Sequence, residues 1–513
     1  MLTPGRGDRL AHHALLERRT FIRSAALAAI AAGGAGALAA CSSDSGGTGG
    51  STSSTATSVA PLTFDDSMPY WMQGGFEPVT EELTATSLEV TGALPPEIDG
   101  LYVRNGSNPA SGPSRHWFLG DGMVHGVRLA GGKALWYRNR FVDTPIHRAG
   151  TDLLSAGGAP GGPNNQSNVS VFHHGGRLLS SGEVGLPFEL STEDLSTVGP
   201  FDYDGRLTTA MTAHPKIDPV TAKMHFFGYG FMAPYLTYHV AAADGTLEYS
   251  EEIEVGGPTM IHDFAITDRD VIFWELPVVF DMDAAVAAVT GGPVDAGFGF
   301  RWDPSYGSRV GVMPLGGPAS AIRWVEIDPC FVFHGVNAHR DGDDVVADVC
   351  VLPRAFSTNG EIEPSTPHRW RIGTGGDELS FSDEQLSDIQ MDLPAIDRRF
   401  AGLPNRQAWY LETDPDSASP VEFAGLNRRD DRDGSIDRFH PGDGLHVNEG
   451  TFIPAGDGEG EGWLVTYAWD RARGASDLLV LDALDLAGGP VAAVHLPARV
   501  PYGFHGSWIA TGT

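Results

Sequence analysis

Most of this chain consists of short β-rich runs separated by turn signals, and this pattern constrains its fold more than any other feature. Runs such as MVHGVRLAGGKALWYRNRFV (123–142) and HDFAITDRDVIFWEL (262–276) are rich in strand-forming residues. The 66 glycines and 35 prolines are spread throughout the chain and provide many tight turns. Such a pattern over roughly 450 residues predicts an all-β fold, either a β-propeller or a large sandwich.

Individual segments refine this prediction. LAGGKALWYRN (129–139) and AADGTLEYSEEI (242–253) predict β-hairpins, because a Gly-containing turn separates two strand-like runs. Helical stretches are scarce, and the short candidates are DMDAAVAAV (281–289) and SFSDEQLSDIQ (380–390). No strict repeat with a blade signature is visible, so the pattern gives the propeller only a small advantage over the sandwich.

The charge of the chain excludes one class of partner. There are 66 acidic against 34 basic side chains, which gives a net charge of −32. Phosphate binding requires a clustered Lys/Arg surface, and the sequence contains no such cluster. We therefore expect no nucleic-acid partner. The 41% of apolar residues is enough for a globular core.

The N-terminal segment differs from the rest of the chain. Residues 1–40 contain the pair Arg18 and Arg19, followed by a run rich in Ala and Gly that ends before Cys41. This arrangement resembles a twin-arginine export signal with a lipobox. A transmembrane helix is the competing interpretation, but the run is short and interrupted by glycines. Residues 41–61 predict a Gly/Ser/Thr-rich tether. We expect export, with a lipid on Cys41 at the outer face of the cytoplasmic membrane, or a periplasmic or extracellular location.

Two cysteines, Cys330 and Cys350, lie in the remaining body. They flank a predicted hairpin and could therefore lie on facing strands. A disulfide can form outside the cytoplasm. Two buried free thiols fit the sequence equally well, because spacing alone does not establish a bridge.

Four histidines lie beside apolar residues at predicted strand edges, far apart in the sequence. They are His214 in MTAHPKIDP, His262 in MIHDFAI, His334 in CFVFHGVNAH and His505 in PYGFHGSW. A single histidine in such a place is usually a hydrogen-bonded core residue, but distant strands meet at the axis of a propeller. Four neutral imidazoles suit Zn, Cu, Fe or Ni. The body lacks HExxH, paired CxxC and Walker motifs. The residues alone thus indicate a His-rich metal site in an all-β enzyme.

A series of motifs runs through residues 62–513 in a fixed order. They include GLYVRNGSNPA, HWFLGDGMVHGVRL, TAHPKIDPVTAKMHFFGY, IHDFAITDRDVIF, FHGVNAHRDGDDVVADV and VPYGFHGSW. In these motifs and their order the sequence resembles the carotenoid cleavage oxygenase family. The resemblance implies a seven-bladed β-propeller with a loop and short-helix cap and non-haem Fe(II) on its axis. It also implies that the iron ligands are His214, His262, His334 and His505.

The resemblance extends to residues around the ligands. In the family, three carboxylates accept hydrogen bonds from the far ring nitrogens of ligand histidines, which fixes the tautomer. Glu183 in SSGEVG and Glu449 in HVNEGTF match two of these positions. The third is a Glu in the family, whereas MDLPAID offers Asp392, one methylene shorter. Val169 matches a position that faces an open coordination site. Three other histidines near family motifs do not match ligand positions and are expected to be structural: His116, His125 and His339.

The implied activity is oxidative cleavage of a conjugated C=C bond in a carotenoid or apocarotenoid. Four histidines on an octahedral ion leave two positions, one for O2 and one beside the alkene. The two oxygen atoms add across the double bond, which splits into two carbonyls. The protein supplies no catalytic acid, base or nucleophile beyond the iron centre. The expected partners are an apolar polyene, O2 and, through the lipid, a membrane surface.

Three other functions compete with this one. The first is cleavage of hydroxystilbenes or related phenylpropanoids. The stilbene branch grips the phenol with a Tyr and a Lys, and Arg115 and Asp143 stand at those places here. The second is retinoid isomerisation. The third, of a different class, is ligand binding by a non-catalytic lipoprotein. Loss of both phenol-gripping side chains favours the carotenoid, and the four histidines favour an enzyme.

Overall fold

The structure is a computed structural model that describes residues 62–65, 67–156, 161–289, 299–357, 361–414, 422–442 and 444–512. These residues belong to one compact unit, Ser58–Thr513. The export signal and the tether predicted for residues 1–61 lie outside the described residues, so both stay predictions. No helix within the described ranges is long and apolar enough to cross a membrane.

Strands dominate the described residues. The first nine are β1 (Thr84–Ala85), β2 (Glu89–Gly92), β3 (Gly100–Arg104), β4 (Met123–Ala130), β5 (Lys133–Phe141), β6 (Ser170–His174), β7 (Arg177–Ser181), β8 (Phe188–Leu190) and β9 (Thr197–Pro200). The next ten are β10 (Lys216–Ile217), β11 (Met224–Tyr229), β12 (Leu236–Ala241), β13 (Leu247–Glu252), β14 (Ala265–Ile266), β15 (Asp270–Glu275), β16 (Val278–Phe280), β17 (Phe300–Trp302), β18 (Arg309–Pro314) and β19 (Arg323–Glu326).

The remaining strands complete the chain. They are β20 (Phe331–Asp341), β21 (Asp344–Leu352), β22 (Thr366–Gly373), β23 (Ser380–Gln385), β24 (Met391–Ala395), β25 (Gln407–Thr413), β26 (Phe423–Asp430), β27 (Ser435–Phe439), β28 (Leu445–Val447), β29 (Thr451–Pro454), β30 (Gly462–Asp470), β31 (Ala475–Asp482), β32 (Pro490–His495) and β33 (Gly506–Ala510).

Helices are short and lie in the connections between strands. They are α1 (Pro145–Ala149), α2 (Leu153–Ala156) and α3 (Met282–Val289), with single 3-10 turns at Tyr70–Met72, Gly74–Phe76, Trp117–Leu119, Ala319–Ala321, Arg398–Phe400 and Leu486–Gly488. The helix predicted at 281–289 is confirmed as α3. The helix predicted at 380–390 is wrong, because Ser380–Gln385 pairs with β22 as the outer strand of its sheet. That edge position tolerates the polar side chains that suggested an exposed helix.

The strands form seven antiparallel sheets, named blades 1 to 7. Their strand orders are β33-β3-β4-β5-β1 for blade 1, β6-β7-β8-β9 for blade 2, β10-β11-β12-β13 for blade 3, β14-β15-β18-β19 for blade 4, β20-β21-β22-β23 for blade 5, β24-β25-β26-β27 for blade 6 and β28-β30-β31-β32-β2 for blade 7. In addition, β29 pairs with β30, and β16 and β17 form a separate hairpin. The predicted seven-bladed propeller is therefore confirmed.

The predicted hairpins are also confirmed. β4 pairs with β5 across Gly131 and Gly132, and β12 pairs with β13 across the turn at Gly245. Gly131 and Gly132 both have positive φ, at 55° and 71°. Positive φ at both central residues is the requirement of the tight hairpin turn that matches strand twist, and glycine meets it without a steric cost.

The first strands of neighbouring blades converge on the propeller axis. β14 contacts β20, β20 contacts β24, and β33 contacts both β6 and β29. The apolar cores lie between adjacent blades. One core cluster joins blades 3, 4 and 5, a second joins blades 1 and 7, and a third joins blades 1 and 2. Each blade is thus held by burial against its two neighbours rather than by a single central core.

The two ends of the chain close the ring. β33 from the C-terminus pairs with β3 in blade 1, and β2 from the N-terminal part pairs with β32 in blade 7. Both blades therefore combine strands from opposite ends of the chain. Cys330 precedes β20 and Cys350 lies in β21, and both thiols are free. The alternative of two free thiols is the one that the structure contains.

Candidate metal centre

The four predicted histidines meet at the axis, where one ring nitrogen from each lies within 4.8 Å of the others. His214 precedes β10, His262 precedes β14, His505 precedes β33, and His334 lies within β20. Each histidine therefore lies on the innermost strand of a different blade, or just before that strand. Because these strands converge, residues separated by 48 to 291 positions in the sequence come together. The described residues contain this one group of potential metal ligands.

A β-bulge directs His334 toward the axis. Val332 pairs with Val351 and Gly335 pairs with Val349, so three steps along β20 match two along β21. The extra residue bends the strand and changes the direction of the side chain, which is a common use of bulges beside functional sites. The other three histidines need no bulge, because each comes from the loop that leads into a short inner strand.

The loop that carries His505 is fixed by backbone hydrogen bonds. The N–H of Asn105 donates to the carbonyl of His505 at 3.1 Å, and the N–H of Phe504 donates to the carbonyl of Asn105 at 3.0 Å. The N–H of His505 donates to the carbonyl of Val169 at 3.0 Å. Val169, the residue expected to face a coordination site, is therefore a direct neighbour of the fourth histidine.

Glu183 contacts His262, as the family resemblance predicts. A carboxylate oxygen of Glu183 pairs with Nδ1 of His262, and the other accepts a hydrogen bond of 2.6 Å from the hydroxyl of Tyr229. Because Nδ1 of His262 is occupied, its Nε2 is left for the cluster, where it lies 2.9 Å from Nε2 of His214.

Asp392 contacts His334 in the same way despite its shorter side chain. Oδ1 of Asp392 lies 2.6 Å from Nδ1 of His334 and accepts the N–H of Leu393 at 2.8 Å. Oδ2 accepts a hydrogen bond of 2.6 Å from the hydroxyl of Ser365. Both carboxylate oxygens are thus engaged, and Nε2 of His334 is directed away from them.

Glu449 completes the set by contacting His505. Oε1 lies 2.7 Å from Nδ1 of His505, and Oε2 accepts the N–H of Gly506 at 2.9 Å. Within the described residues, no carboxylate orients His214 in this way. Its backbone N–H donates to the hydroxyl of Thr212 at 3.2 Å. Three carboxylates therefore orient three of the four imidazoles.

Burial favours the neutral form of two of the four imidazoles, His214 and His334. Burial, together with the three neighbouring histidines, holds the pKa of His214 well below its usual value. Burial also lowers the pKa of His334, although Asp392 opposes this effect. For His262, burial lowers the pKa, but the Glu183 carboxylate, together with Asp263 and Asp392, outweighs this effect, so the pKa is raised. A neutral imidazole is the form that binds a metal ion.

The donor set fits a metal ion, because four imidazole nitrogens within 4.8 Å of one another could hold one ion between them. Four imidazole nitrogens suit Zn, Cu, Fe or Ni. The carboxylates do not join the ligand set, since each is occupied by imidazole and other donors.

Aromatic and aliphatic side chains surround the cluster. The ring of Phe333 meets the ring of His262 edge-on, with centroids 5.2 Å apart. The ring of Phe504 packs against Trp117 at 4.6 Å. Val169 packs against the same apolar cluster. Apolar side chains therefore lie beside His262 and next to His505.

The remaining sequence candidates lie away from the cluster. Nδ1 of His116 accepts the N–H of Phe118, and Nδ1 of His125 lies 3.0 Å from the hydroxyl of Tyr137. His339 lies in β20 beyond His334. None of the three belongs to the cluster of described metal-ligand candidates. The structural role expected for all three stays a prediction, and the contacts of His116 and His125 fit it.

Arg115 and Asp143, which the family resemblance placed at phenol-gripping positions, make other contacts. Nε of Arg115 lies 2.9 Å from a carboxylate oxygen of Asp152. The Asp143 carboxylate lies 2.9 Å from the guanidinium of Arg148. Both side chains are thus engaged in ion pairs with local partners.

Comparison with known proteins agrees with the site. The family model described as RPE65, retinal pigment epithelial membrane protein, matches residues 76–510. A carotenoid cleavage oxygenase of Mycobacterium tuberculosis is 36% identical over 502 residues, covering 87% of this chain and 98% of the relative. The chain belongs to the RPE65/carotenoid cleavage oxygenase family. The family resemblance inferred from the motifs is confirmed.

Other family members extend the comparison. A carotenoid 9,10(9',10')-cleavage dioxygenase of Phaseolus vulgaris is 32% identical and covers 87% of this chain and 90% of its own length. Among solved structures, a lignostilbene dioxygenase of Pseudomonas brassicacearum has a TM-score of 0.78 and 29% identity. That comparison covers 88% of this chain and all of the other. The family thus includes enzymes named for two substrate classes.

Two residues that contact the carboxylates were not identified from the sequence. Tyr229 donates to Glu183 and Ser365 donates to Asp392. Tyr229 ends β11, and Ser365 directly precedes β22. Tyr229 ends one of the family motifs and Ser365 lies outside them, but neither sequence context indicates a contact with a carboxylate. Only the folded arrangement of the blades reveals these two contacts.

Proposed function

We propose that this protein is an Fe(II)-dependent dioxygenase that cleaves a conjugated C=C bond of a carotenoid or apocarotenoid. The reaction consumes one O2 for each bond broken and gives two carbonyl products, each with one oxygen atom. The observation that carries the proposal is the cluster of four histidines at the axis, three of them oriented by carboxylates.

The contacts support a separate role for the histidines and for the carboxylates. When bound, Fe(II) would supply the redox chemistry by which O2 adds to the double bond. His214, His262, His334 and His505 would hold it through neutral nitrogens. The carboxylates of Glu183, Asp392 and Glu449 accept hydrogen bonds from the Nδ1–H groups and keep the Nε2 atoms directed inward. These carboxylates are fully engaged, so we assign them no proton transfer with the substrate.

The apolar side chains beside the histidines support a hydrocarbon substrate. Phe333 packs against the ring of His262. Phe504, which precedes His505, packs against Trp117, and Val169 packs against the same apolar cluster. Such apolar side chains let a conjugated chain bind through van der Waals contact. We expect substrate selection to rest on the shape of these apolar surfaces.

Cleavage of hydroxystilbenes by the same centre is the second candidate. It is favoured by the 29% identity to the lignostilbene dioxygenase. The ion pairs of Arg115 with Asp152 and of Asp143 with Arg148 argue against it, since these side chains replace the phenol-binding Tyr and Lys. Side chains that already form ion pairs in this way gain little from a hydrogen bond to a neutral phenol.

Product analysis tests the proposal. Iron-loaded protein from residue 62 onward would be incubated in air with carotenoids, apocarotenals and hydroxystilbenes, followed by liquid chromatography and mass spectrometry. We expect paired aldehyde or ketone fragments from a polyene. Fragments from stilbenes alone would select the second candidate. Bound iron without O2 uptake would support a non-catalytic ligand-binding protein.

The control for this assay is His505→Ala, which removes one ligand but leaves the inner strand β33 in place. We expect its iron content to fall at least tenfold, together with product formation, because one of four ligands is lost. Wild-type activity in this variant would contradict the ligand assignment. A circular dichroism spectrum like that of the wild type would exclude unfolding as the cause.

We also propose that the protein is exported and lipid-anchored, so that the centre works beside a bilayer that dissolves the polyene. The support is the sequence of residues 1–41, with its paired arginines and lipobox cysteine. The test is cell fractionation of the full chain and of Cys41→Ser. We expect the wild type in the membrane fraction and the variant in the soluble exported fraction. An unchanged distribution would rule out the lipid anchor.

A further inference from the structure

Asp263 is a buried aspartate next to the histidine cluster in the sequence, and it is 1% exposed. Asp263 follows His262 in the chain, and its Oδ1 accepts the N–H of Phe264 at 2.8 Å. The remaining contacts of this carboxylate reach two other blades. A buried carboxylate needs several donors to offset its desolvation, and here all the recorded donors come from the strands that carry ligands.

The first of these contacts reaches blade 3. Nζ of Lys216 lies 2.7 Å from Oδ1 of Asp263, and Lys216 begins β10, two residues after His214. The second reaches blade 5, where the N–H of Gly335, the residue after His334, donates to Oδ2 of Asp263 at 2.8 Å. One carboxylate therefore joins the strands that carry three of the four histidines.

Gly335 packs closely against blade 4. A Cβ added at Gly335 would lie 3.0 Å from the indole of Trp274, a tight contact, and 3.5 Å from Oδ2 of Asp263, an ordinary van der Waals distance. The absence of a side chain therefore leaves room for Trp274 beside the segment that follows His262. The N–H of Gly335 is then directed at the carboxylate, within the bulged part of β20 that aims His334 at the axis.

We propose that Asp263 is a positioning residue for the metal centre, and that it sets the spacing of His214, His262 and His334 by tying their three strands together. The proposal rests on the proposed function insofar as the four histidines bind a metal ion. Asp263 acts on the ligands through the backbone and Lys216. It differs in this from Glu183, Asp392 and Glu449, each of which contacts an imidazole directly.

Asp263→Asn tests the proposal because an amide has nearly the same shape but only one acceptor oxygen. If that oxygen still accepts the hydrogen bond from the N–H of Gly335, the NH2 group of the new side chain faces the ammonium of Lys216. Two hydrogen-bond donors then face each other without an acceptor. The probe is Co(II), whose visible spectrum reports ligand geometry independently of turnover. We expect an altered Co(II) spectrum and a 10- to 100-fold weaker affinity, the usual scale for residues that orient ligands.

The matched control is Asp270→Asn. Asp270 is also a buried aspartate, 6% exposed, and it also joins blades 4 and 5, through Arg340 of β20 at 2.5 Å. It does not contact a residue adjacent to a ligand histidine. We expect this variant to lose stability in urea while keeping the wild-type Co(II) spectrum and affinity within twofold. A second variant, Lys216→Met, removes one partner without placing a new donor, and we expect a smaller loss of affinity in the same direction.

The outcomes separate this proposal from the proposed function. If the wild type binds Co(II) and Asp263→Asn binds it with unchanged spectrum and affinity, Asp263 is merely structural and the proposal is overturned. If Asp263→Asn does not fold, an unchanged spectrum and affinity in Lys216→Met overturns it. Failure of the wild type to bind Co(II) or Fe(II) would reject the metal centre itself. Equal losses in Asp263→Asn and Asp270→Asn would also reject a specific role, because general loosening would explain both.

Discussion

At the scale of single residues, the three carboxylates of the centre each orient one imidazole, although their side chains differ in length. Glu183 and Glu449 reach their histidines with two methylenes, and Asp392 reaches His334 with one. The shorter reach is compensated by the backbone, because Leu393 has a φ of +49° and the register of β24 shifts after Asp392. This bulge and the hydroxyl of Ser365 hold the Asp392 carboxylate against the imidazole.

We therefore expect Asp392→Glu to weaken the centre, although Glu is the family residue at this position. The added methylene would push the carboxylate past its place between His334 and Ser365 or displace the imidazole. The expected loss of metal affinity is about tenfold, and Asp392→Ala should lose about 10- to 100-fold. Both are measured by competition with a chelator.

Asp383→Glu is the matched control, because Asp383 also pairs with a histidine, His368 at 2.8 Å, on the outer strands of blade 5. It should leave metal affinity unchanged. If Asp392→Glu binds metal as tightly as the wild type or more tightly, the backbone does not compensate for the shorter side chain, and the fit described for Asp392 is wrong.

The sequence permits prediction of the histidines more readily than of their surroundings. His214, His262, His334 and His505 were identified through motifs, and the structure brings all four together. Tyr229, Ser365 and Asp263 were missed, because their contacts with Glu183, Asp392 and Gly335 span 46, 27 and 72 residues. No local pattern encodes such pairs. They depend on which strands the ring places side by side.

At the scale of elements, turn residues predict the secondary structure of this chain better than side-chain polarity does. The hairpins at Gly131–Gly132 and Gly245 follow from residues that accept positive φ, a local requirement. The predicted helix at 380–390 failed, because a polar outer strand and an exposed helix carry similar residues. The bulge that aims His334 was not predicted either. Its extra residue is defined only by the pairing of β20 with β21.

The segment Arg104–Gly106 has an element-scale role, since it supports the loop of His505. A Cβ at Gly106 would lie 2.8 Å from the Cα of Gly503. Because the nearest atom belongs to the backbone, Gly106→Ala should displace the 503–505 loop. We expect about 1–3 kcal/mol of lost stability and about tenfold weaker metal binding, measured by urea denaturation and metal titration.

Gly257→Ala is the control for this substitution. Gly257 is buried, and its added Cβ would meet only Tyr306 at 3.6 Å, an ordinary van der Waals distance. Metal affinity should stay within twofold of the wild type. Equal metal affinity in Gly106→Ala and Gly257→Ala would show that the position of His505 does not depend on the Arg104–Gly106 segment.

At the scale of the whole molecule, closing the ring and completing the ligand set depend on the same few residues. His505 is followed at once by β33, which pairs with β3 from Gly100↔Ala510 to Arg104↔Gly506. β33 also contacts β6 and β29 on either side. The resemblance to the family predicts seven blades. It does not predict that β33, at the C-terminal end, completes blade 1 or that β2, near the N-terminal end, completes blade 7; the strand pairing in the structure shows this.

This arrangement predicts different consequences for losing the ligand and losing the strand. His505→Ala should release the metal and cost at most about 2 kcal/mol, since it leaves every strand in place. Deleting residues 506–513 retains His505 but removes β33, exposes the edge of β3 and uncovers Leu101 and Val103 of the core between blades 1 and 2. The deletion should therefore cost a large part of the roughly 5–15 kcal/mol that stabilises a typical protein. Urea denaturation followed by circular dichroism, with metal analysis of each variant, separates the two effects.

The control is removal of residues 512–513 alone, which follow β33 in the sequence. It should change neither the stability nor the metal content. A deletion variant that keeps a sharp unfolding transition and bound metal would show that the ring does not need its C-terminal strand to hold the centre.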